Sequence, residues 1–287
     1  MTDCRGFLFR SDDGGATWQT AYVSDVVPLA LQFDADGTGW LAGGPASGSR
    51  SIYPIMNAEA NLLETTDNGR SWQPLYAAKG GAFLSVSFPS ATEGWLTIGS
   101  SVIGTNNLLH TTDGGHIWTA GNAPCADWVS FVSPQDGFAF CGFPRNPGPG
   151  VMSKSFLRTT DGGATWQTVG SVSEAQIPHR EGLPLAGYGA GLSMRTATEG
   201  WIALTRGGFL HTTDGGTTWE SQLSDRRARN LPTVDGGYLD YSMADAVQFL
   251  SATHGYAVLN GRYLMETTDG GTNWQLLLDA AKLPADS

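Results

Sequence analysis

The sequence has few charged residues, few lysines and few cysteines for its length, and each shortage excludes a class of protein. Only 15% of the 287 residues are charged, against about 25% in ordinary soluble domains. The formal net charge of −11 excludes a nucleic-acid partner, because phosphates are held by basic surfaces. No apolar run approaches the roughly 18 residues of a membrane-spanning helix. Three cysteines cannot build a disulfide framework, and we expect Cys125 and Cys141 to be reduced thiols.

The first ten residues, MTDCRGFLFR, also lack the long apolar stretch of a signal peptide. We therefore expect no signal peptide in this chain, and an extracytoplasmic location if an upstream segment is missing. What is abundant is glycine, with 39 residues, and tryptophan, with 10 residues. This acidic, Gly- and Trp-rich composition is typical of all-β repeats.

One short motif occurs six times and predicts the architecture. Each copy resembles TTDGGATW, and the central aspartates are separated by 54, 46, 48, 53 and 55 residues. A period of this size is given by stacked supersecondary units. The aspartates are Asp13, Asp67, Asp113, Asp161, Asp214 and Asp269, and the tryptophans are Trp18, Trp72, Trp118, Trp166, Trp219 and Trp274.

A second repeat, a glycine followed by an aromatic residue, precedes each of the last five boxes. The pairs begin at Gly39, Gly94, Gly137, Gly200 and Gly255, each after a short apolar stretch. Each unit therefore reads as four strands, A to D, with strand B starting at the pair and the Asp box between strands C and D. Four strands per unit predict an all-β fold, a β-propeller of four-stranded antiparallel blades.

We predict one propeller domain over residues 1–287. The predicted segments are a half blade at 1–25 and five complete blades at about 28–80, 82–124, 126–172, 190–224 and 244–282. The half blade has only strands C and D. Two explanations remain open, a native two-stranded blade or a missing upstream segment, and an upstream segment would also explain the absent signal peptide.

The six box aspartates have a structural interpretation. Asp, Gly and Thr or Ser at these offsets make a tight turn. The Asp carboxylate can accept hydrogen bonds from the backbone N–H groups of that turn. Six carboxylates on six separate turns lie too far apart to share one substrate or calcium ion. Ile117 and Asn273 stand where Thr or Ser is usual, and we expect both turns to lose a side-chain hydrogen bond.

These segments resemble the Asp-box, or bacterial neuraminidase repeat. With Gly-Trp on strand B and TTDGGxTW at the C–D turn, the chain is most similar to the photosystem II assembly and stability factor family. The resemblance covers residues 1–280 and implies a non-catalytic assembly scaffold. Sialidases, xyloglucan hydrolases and sortilin-type receptors carry the same box.

Loop lengths indicate where a partner binds. The B–C loops of the first three complete blades and the last two D–A connections carry insertions, and both kinds of loop lie at the same end of a four-stranded meander. We expect connections 171–190 and 224–245 to form one wall of a site and loops 43–61 and 142–154 the opposite wall. Lys154 belongs to the second wall. The candidate binding residues are Tyr53, His179, Arg180, Arg226, Arg227, Arg229, Tyr238, Asp240 and Tyr241.

The predicted function is a scaffold that binds a protein or peptide, and an acidic partner would suit the arginines. The alternative is a propeller that binds or hydrolyses glycans, so an enzyme, if present, would be a glycoside hydrolase. The Arg-Ile-Pro signature of sialidases is missing, and nothing in the sequence makes Arg195, Arg206 and Arg262 converge. Glu181 with Asp235 or Asp240 remains open as a carboxylate pair. His116, His179 and His254 lack ligand spacing and no phosphate loop is present, so neither a metal nor a cofactor is predicted.

Overall fold

A computed structural model describes residues 6–24, 26–45, 59–79, 81–99, 108–143, 152–173, 182–222, 233–234, 237–238 and 244–283. Within these residues the fold is all-β, and the predicted propeller of five four-stranded blades preceded by a two-stranded sheet is confirmed. Each complete blade is an antiparallel meander whose strands pair in sequence order.

The strands of the first sheets have these bounds. The two-stranded sheet contains β1 (Gly6–Arg10) and β2 (Gln19–Ser24). The first complete blade contains β3 (Val26–Phe33), β4 (Gly39–Pro45), β5 (Glu59–Thr65) and β6 (Gln73–Lys79). The second contains β7 (Ala82–Ser87), β8 (Gly94–Gly99), β9 (Leu108–Thr111) and β10 (Thr119–Ala120).

The remaining strands follow the same order. The third blade contains β11 (Trp128–Phe131), β12 (Gly137–Phe143), β13 (Ser153–Thr159) and β14 (Gln167–Val172). The fourth contains β15 (Tyr188–Met194), β16 (Gly200–Thr205), β17 (Gly208–Thr212) and β18 (Glu220–Ser221). A hairpin of β19 (Thr233–Val234) and β20 (Gly237–Tyr238) precedes the fifth blade. That blade contains β21 (Ala244–Phe249), β22 (Gly255–Leu259), β23 (Tyr263–Thr267) and β24 (Gln275–Asp279).

Strand B begins at the glycine of the Gly-aromatic pair in every complete blade. The glycine is required there by close packing, because a Cβ at Gly94 would lie 2.4 Å from the ring of Phe88. Strand C is apolar on both faces, as Phe156 and Leu157 show, since both are buried although they point to opposite sides of β13. Burial on both faces is what packing of each blade between neighbours requires.

The contacts divide the chain into two compact units. The first unit is Met1–Ala139 with Thr159–Trp166, and the second is Phe140–Arg158 with Gln167–Ser287. In the first unit, one buried cluster joins Trp40 and Leu62 of the first blade to Phe83 and Phe88 at the start of the second. In the second unit, a comparable cluster joins Trp201 of the fourth blade to Phe249 of the fifth. Burial between neighbouring blades therefore supplies the core of each unit.

The expectation of reduced thiols is wrong. Cys125 and Cys141 are both disulfide-bonded. Having too few cysteines for a disulfide framework therefore did not mean that these two are reduced.

Candidate functional site

Most predicted binding residues fall outside the described part of the chain. These residues are Tyr53, His179, Arg180, Arg226, Arg227, Arg229, Asp240 and Tyr241. The backbone of Tyr238 is described, in β20 opposite Thr233. The binding role of these residues stays a prediction, as does the carboxylate pairing of Glu181 with Asp235 or Asp240.

The ends of two inserted connections are tied together by a buried lysine. Lys154 lies in β13 and is 0% exposed. Its Nζ donates to the carbonyl oxygens of Met152, Pro184, Leu185 and Ala186 at 2.9–3.1 Å. Burial lowers the pKa of Lys154 to about 8. The ammonium group is held by backbone carbonyl oxygens at the base of loop 142–154.

A second contact joins the ends of these two connections. The backbone N–H of Met152 donates to the carbonyl of Leu185 at 3.0 Å, beside the Lys154 bonds. The last residues of loop 142–154 therefore contact the end of connection 171–190, while the two predicted walls lie mostly outside the described residues and stay a prediction. The sequence could not show this contact, because it depends on how two blades of the second unit pack.

The Asp boxes form a repeated hydrogen-bonded turn. In the fourth box, Asp161 Oδ1 accepts from Thr159 Oγ1 at 2.8 Å and from the backbone N–H of Thr165 at 2.8 Å. Asp161 Oδ2 accepts from Thr165 Oγ1 at 2.6 Å. Gly163 adopts φ 87°, where a side chain would be strained, and its carbonyl accepts from Trp166 Nε1 at 3.1 Å. Each box carboxylate thus holds one turn closed.

The two unusual boxes differ from each other. At Asp113 only backbone N–H groups and Thr111 Oγ1 donate, because the exposed side chain of Ile117 has no donor. At Asp269, Asn273 Nδ2 donates to Oδ2 at 2.7 Å, which replaces the usual hydroxyl bond. The expected loss of a hydrogen bond therefore occurs at Ile117 and does not occur at Asn273.

These hydrogen bonds lower the pKa of every box aspartate. The hydroxyl of Thr17 is the main cause at Asp13, where the pKa falls to about 2. At Asp214 burial raises the pKa, but the hydrogen bonds from Thr218 and Thr212 outweigh burial, and the pKa is lowered. At Asp269 the hydrogen bonds from Asn273 and Thr267 outweigh burial in the same way. A carboxylate that accepts several hydrogen bonds is stabilised in its charged form. The six groups stay ionised at neutral pH as parts of their turns.

The histidines on and beside the blades pair with carboxylates of the neighbouring strand. His110 Nε2 lies 2.8 Å from Glu93, and His254 Nε2 lies 2.9 Å from Glu266. His211 Nε2 lies 3.5 Å from Glu199. No group of three or more metal-ligating side chains occurs among the described residues, so these pairs read as cross-strand contacts on the blades.

The arginines considered for a sialidase-like site have separate surroundings. Arg195 Nε donates to Glu199 at 2.8 Å, whereas Arg262 donates to the buried carboxylate of Asp279 at 2.8 Å. Arg206 is exposed at the turn between β16 and β17, with φ 65°. Two of the three arginines already hold a protein carboxylate, which a substrate carboxylate would have to displace.

A cavity of about 400 Å³ lies in the first unit, at the Asp-box end of the second and third blades. Its lining includes Trp95, His110, Gly121 and Gly162. The sequence predicted a binding surface at the other end of the blades, where the connections carry insertions, and gave no prediction of this cavity. The signal available in the sequence was Gly121, three residues after a box tryptophan. All five other repeats carry a side chain at this position, namely Ala21, Leu75, Val169, Gln222 and Leu277.

Comparison with known proteins supports the repeat assignment. Residues 9–20 match the BNR/Asp-box repeat family. The chain is 28% identical over 155 residues to the photosystem II assembly lipoprotein Ycf48 of Synechococcus sp. (strain CC9902). That alignment covers 53% of this chain and 37% of the relative, so the chain matches well under half of the relative's length.

Two solved structures show the same fold. A structure described as YCF48 bound to D1 peptide has a TM-score of 0.51 at 20% identity, covering 91% of this chain and 85% of that one. The Hadza microbial sialidase Hz136 has a TM-score of 0.54 at 12% identity, covering 91% and 66%. At these identities the likeness establishes the fold alone. Within the described residues no helix is long and apolar enough to span a membrane.

Proposed function

We propose that this Asp-box β-propeller, which is similar to photosystem II assembly factors, is a non-catalytic scaffold that binds a protein or peptide. The similarity to Ycf48 over 155 residues is the observation that carries the proposal. One structure of a Ycf48 holds a D1 peptide, so a propeller of this type can bind a peptide segment.

We place the binding surface at the blade ends that carry the B–C and D–A connections. Insertions are concentrated in these connections, and function commonly resides in loops on a rigid scaffold. The four carbonyl bonds of Lys154 support a rigid base for two of them in the second unit. An acidic segment is the preferred partner, because Arg226, Arg227 and Arg229 concentrate positive charge in a chain of net charge −11.

The test is a titration of a fluorescent D1-derived peptide followed by anisotropy at two salt concentrations. We expect binding by the wild type and weaker binding by Arg226→Glu, Arg227→Glu and Arg229→Glu, each with an unchanged melting temperature. Arg70→Glu is the matched control, because Arg70 is exposed on an Asp-box turn. Equal affinity of all four variants and the wild type would exclude the arginine surface.

A glycan-directed propeller is the second candidate, favoured by the fold shared with a sialidase. Incubation with a fluorogenic sialoside and titration with sialyllactose distinguish it. Hydrolysis or saturable sugar binding, together with no response to the peptide, would replace the scaffold proposal with this one.

A further inference from the structure

One position of the repeat, three residues after the box tryptophan, contacts both its own blade and the next one. In the second unit this residue is Gln222. Its Oε1 accepts from Trp201 Nε1 at 3.1 Å, and its Nε2 donates to the carbonyl of Gly270 at 2.8 Å. A single primary amide therefore satisfies a buried indole and the first glycine of the next Asp box.

The equivalent residue in the first unit is Gly121. The backbones correspond, because Gly121 N–H donates to Leu108 O at 2.8 Å and Gln222 N–H donates to Phe209 O at 2.9 Å. Gly121 has no side chain, and the space that an amide fills beside Gln222 belongs here to the 400 Å³ cavity. The cavity thus lies where, in the fourth blade, the side-chain amide of Gln222 lies.

The indole at this cavity lacks the partner that its counterpart has. Trp95 is 0% exposed as a residue, and no counterpart of Gln222 Oε1 stands beside its Nε1, because Gly121 has no side chain. This nitrogen faces the cavity, since a Cβ placed on the lining residue Gly163 would lie 3.5 Å from it. An acceptor that enters the cavity can therefore receive this N–H.

The first blade shows a third outcome at the same position. Leu75 stands there, with a methyl group 2.9 Å from where a Cβ on Gly115 would lie. Trp40 Nε1 is then buried with no hydrogen-bond partner among the described residues. Three residues after the box tryptophan, the fourth blade has the amide of Gln222, the first has the apolar Leu75 and the second has Gly121. Only the space beside Gly121 is open to a ligand.

We propose that this cavity binds a primary carboxamide, namely the glutamine side chain of a peptide. The amide oxygen would accept from Trp95 Nε1, and the amide NH₂ would donate to the carbonyl of Gly162, which corresponds to Gly270. A volume of about 400 Å³ lies within the usual range of ligand sites. The site is at the Asp-box end of the blades, so it is independent of the loop surface under Proposed function.

The lining also explains why an acid is rejected. Glu93 and Asp161 both line the cavity, and their charges oppose a ligand carboxylate. A carboxylate has no proton to donate to the Gly162 carbonyl. An aliphatic side chain satisfies neither the indole nor the carbonyl, as Leu75 illustrates at Trp40.

The experiment uses the indole N–H signals of the ¹⁵N-labelled protein, of which ten are expected from ten tryptophans. Trp95→Phe identifies the Trp95 signal. The probes are the N-acetyl, N-methylamide derivatives of glutamine, glutamate and leucine. We expect a saturable shift of the Trp95 signal with the glutamine probe, and about tenfold weaker binding of the other two, which lack one or both hydrogen bonds.

Two reciprocal variants test the equivalence of the sites. Gly121→Gln should remove the response, because the new side chain occupies the cavity. Its Cβ would lie 2.9 Å from Cδ2 and Cγ of the buried Leu108, so the Leu108 side chain has to shift. Gln222→Gly should make the Trp201 signal respond to the glutamine probe, because the bridging amide is removed.

Each result decides the matter. Equal shifts with all three probes, no shift with glutamine, or an unchanged response in Gly121→Gln would overturn the proposal. If Gly121→Gln does not fold, the gain of response in Gln222→Gly decides, and its absence counts against the amide site. None of these results depends on binding at the loop surface.

Discussion

Trp95 and Phe131 stack face to face between neighbouring blades, with ring centroids 3.5 Å apart and planes 6° apart. Trp95 is the second residue of strand B in the second blade, and Phe131 ends strand A of the third. Trp40 with Phe88 and Trp201 with Phe249 make the same contact at 4.1 and 3.6 Å. The aromatic residue of the Gly-aromatic pair thus packs on the phenylalanine at the end of the next blade's first strand.

Phe33 holds the same strand position as Phe88 but has no such stacking contact among the described residues. Phe33 is 40% exposed, whereas Phe88 is 1% exposed. We expect Phe88→Ala to lower the free energy of unfolding by about 3–5 kcal/mol and Phe33→Ala to lower it by about 1 kcal/mol. Urea denaturation of both variants measures the difference. Equal costs would mean that stacking between blades contributes little.

The Asp boxes offer a matched pair of hydroxyl substitutions. Ile117→Thr should raise the free energy of unfolding by about 0.5–1 kcal/mol, because the new hydroxyl can donate to Asp113 as Thr165 donates to Asp161. Thr165→Val, which removes that donor, should lower it by a similar amount. Thermal unfolding of both variants is the measurement, and a destabilised Ile117→Thr would contradict the turn geometry.

Stability should fall in acid. The pKa values of the six box aspartates are lowered, so below pH 4 the unfolded chain binds more protons at these sites than the folded chain. Their contribution is present above the unfolded pKa of about 3.9 and is lost as the pH falls through the folded values. Burial raises the pKa of Asp34 and Asp245, which acts in the opposite direction.

The measurement is the free energy of unfolding between pH 7 and pH 2. Its decline below pH 4 should be shallower in Asp161→Asn than in the wild type, because one proton-linked group is gone. A decline of the same steepness in both proteins would show that the box carboxylates are not the groups that titrate.

Lys154 should contribute strongly to stability, because its Nζ donates to four backbone carbonyl oxygens. Lys154→Met removes the donor that four backbone carbonyl oxygens share. We expect a loss of about 2–3 kcal/mol, in the range for hydrogen bonds to charged groups. Lys79→Met is the control, because Lys79 is exposed on β6, and it should change the melting temperature little. Equal effects of the two variants would exclude a special role for the Lys154 cluster.

The sequence by itself determined the elements and their order. The box turn is local, since Thr159, Asp161 and Thr165 lie within seven residues and their hydrogen bonds need no distant partner. The doubly apolar strand C and the glycine that opens strand B are likewise determined by near neighbours along the chain or in the next strand. These local rules were enough to predict the blades.

Which side chains meet between blades depends on the tertiary structure. The sequence assigns Lys154 to an inserted loop, but its acceptors lie about thirty positions later in the chain. The sequence shows that Gly121 lacks the side chain of the other repeats, but not that it lines a cavity with Trp95 and Gly162. Contacts of this kind depend on the packing of whole blades against each other, which no short stretch of sequence encodes, because many different side chains satisfy the same repeat pattern.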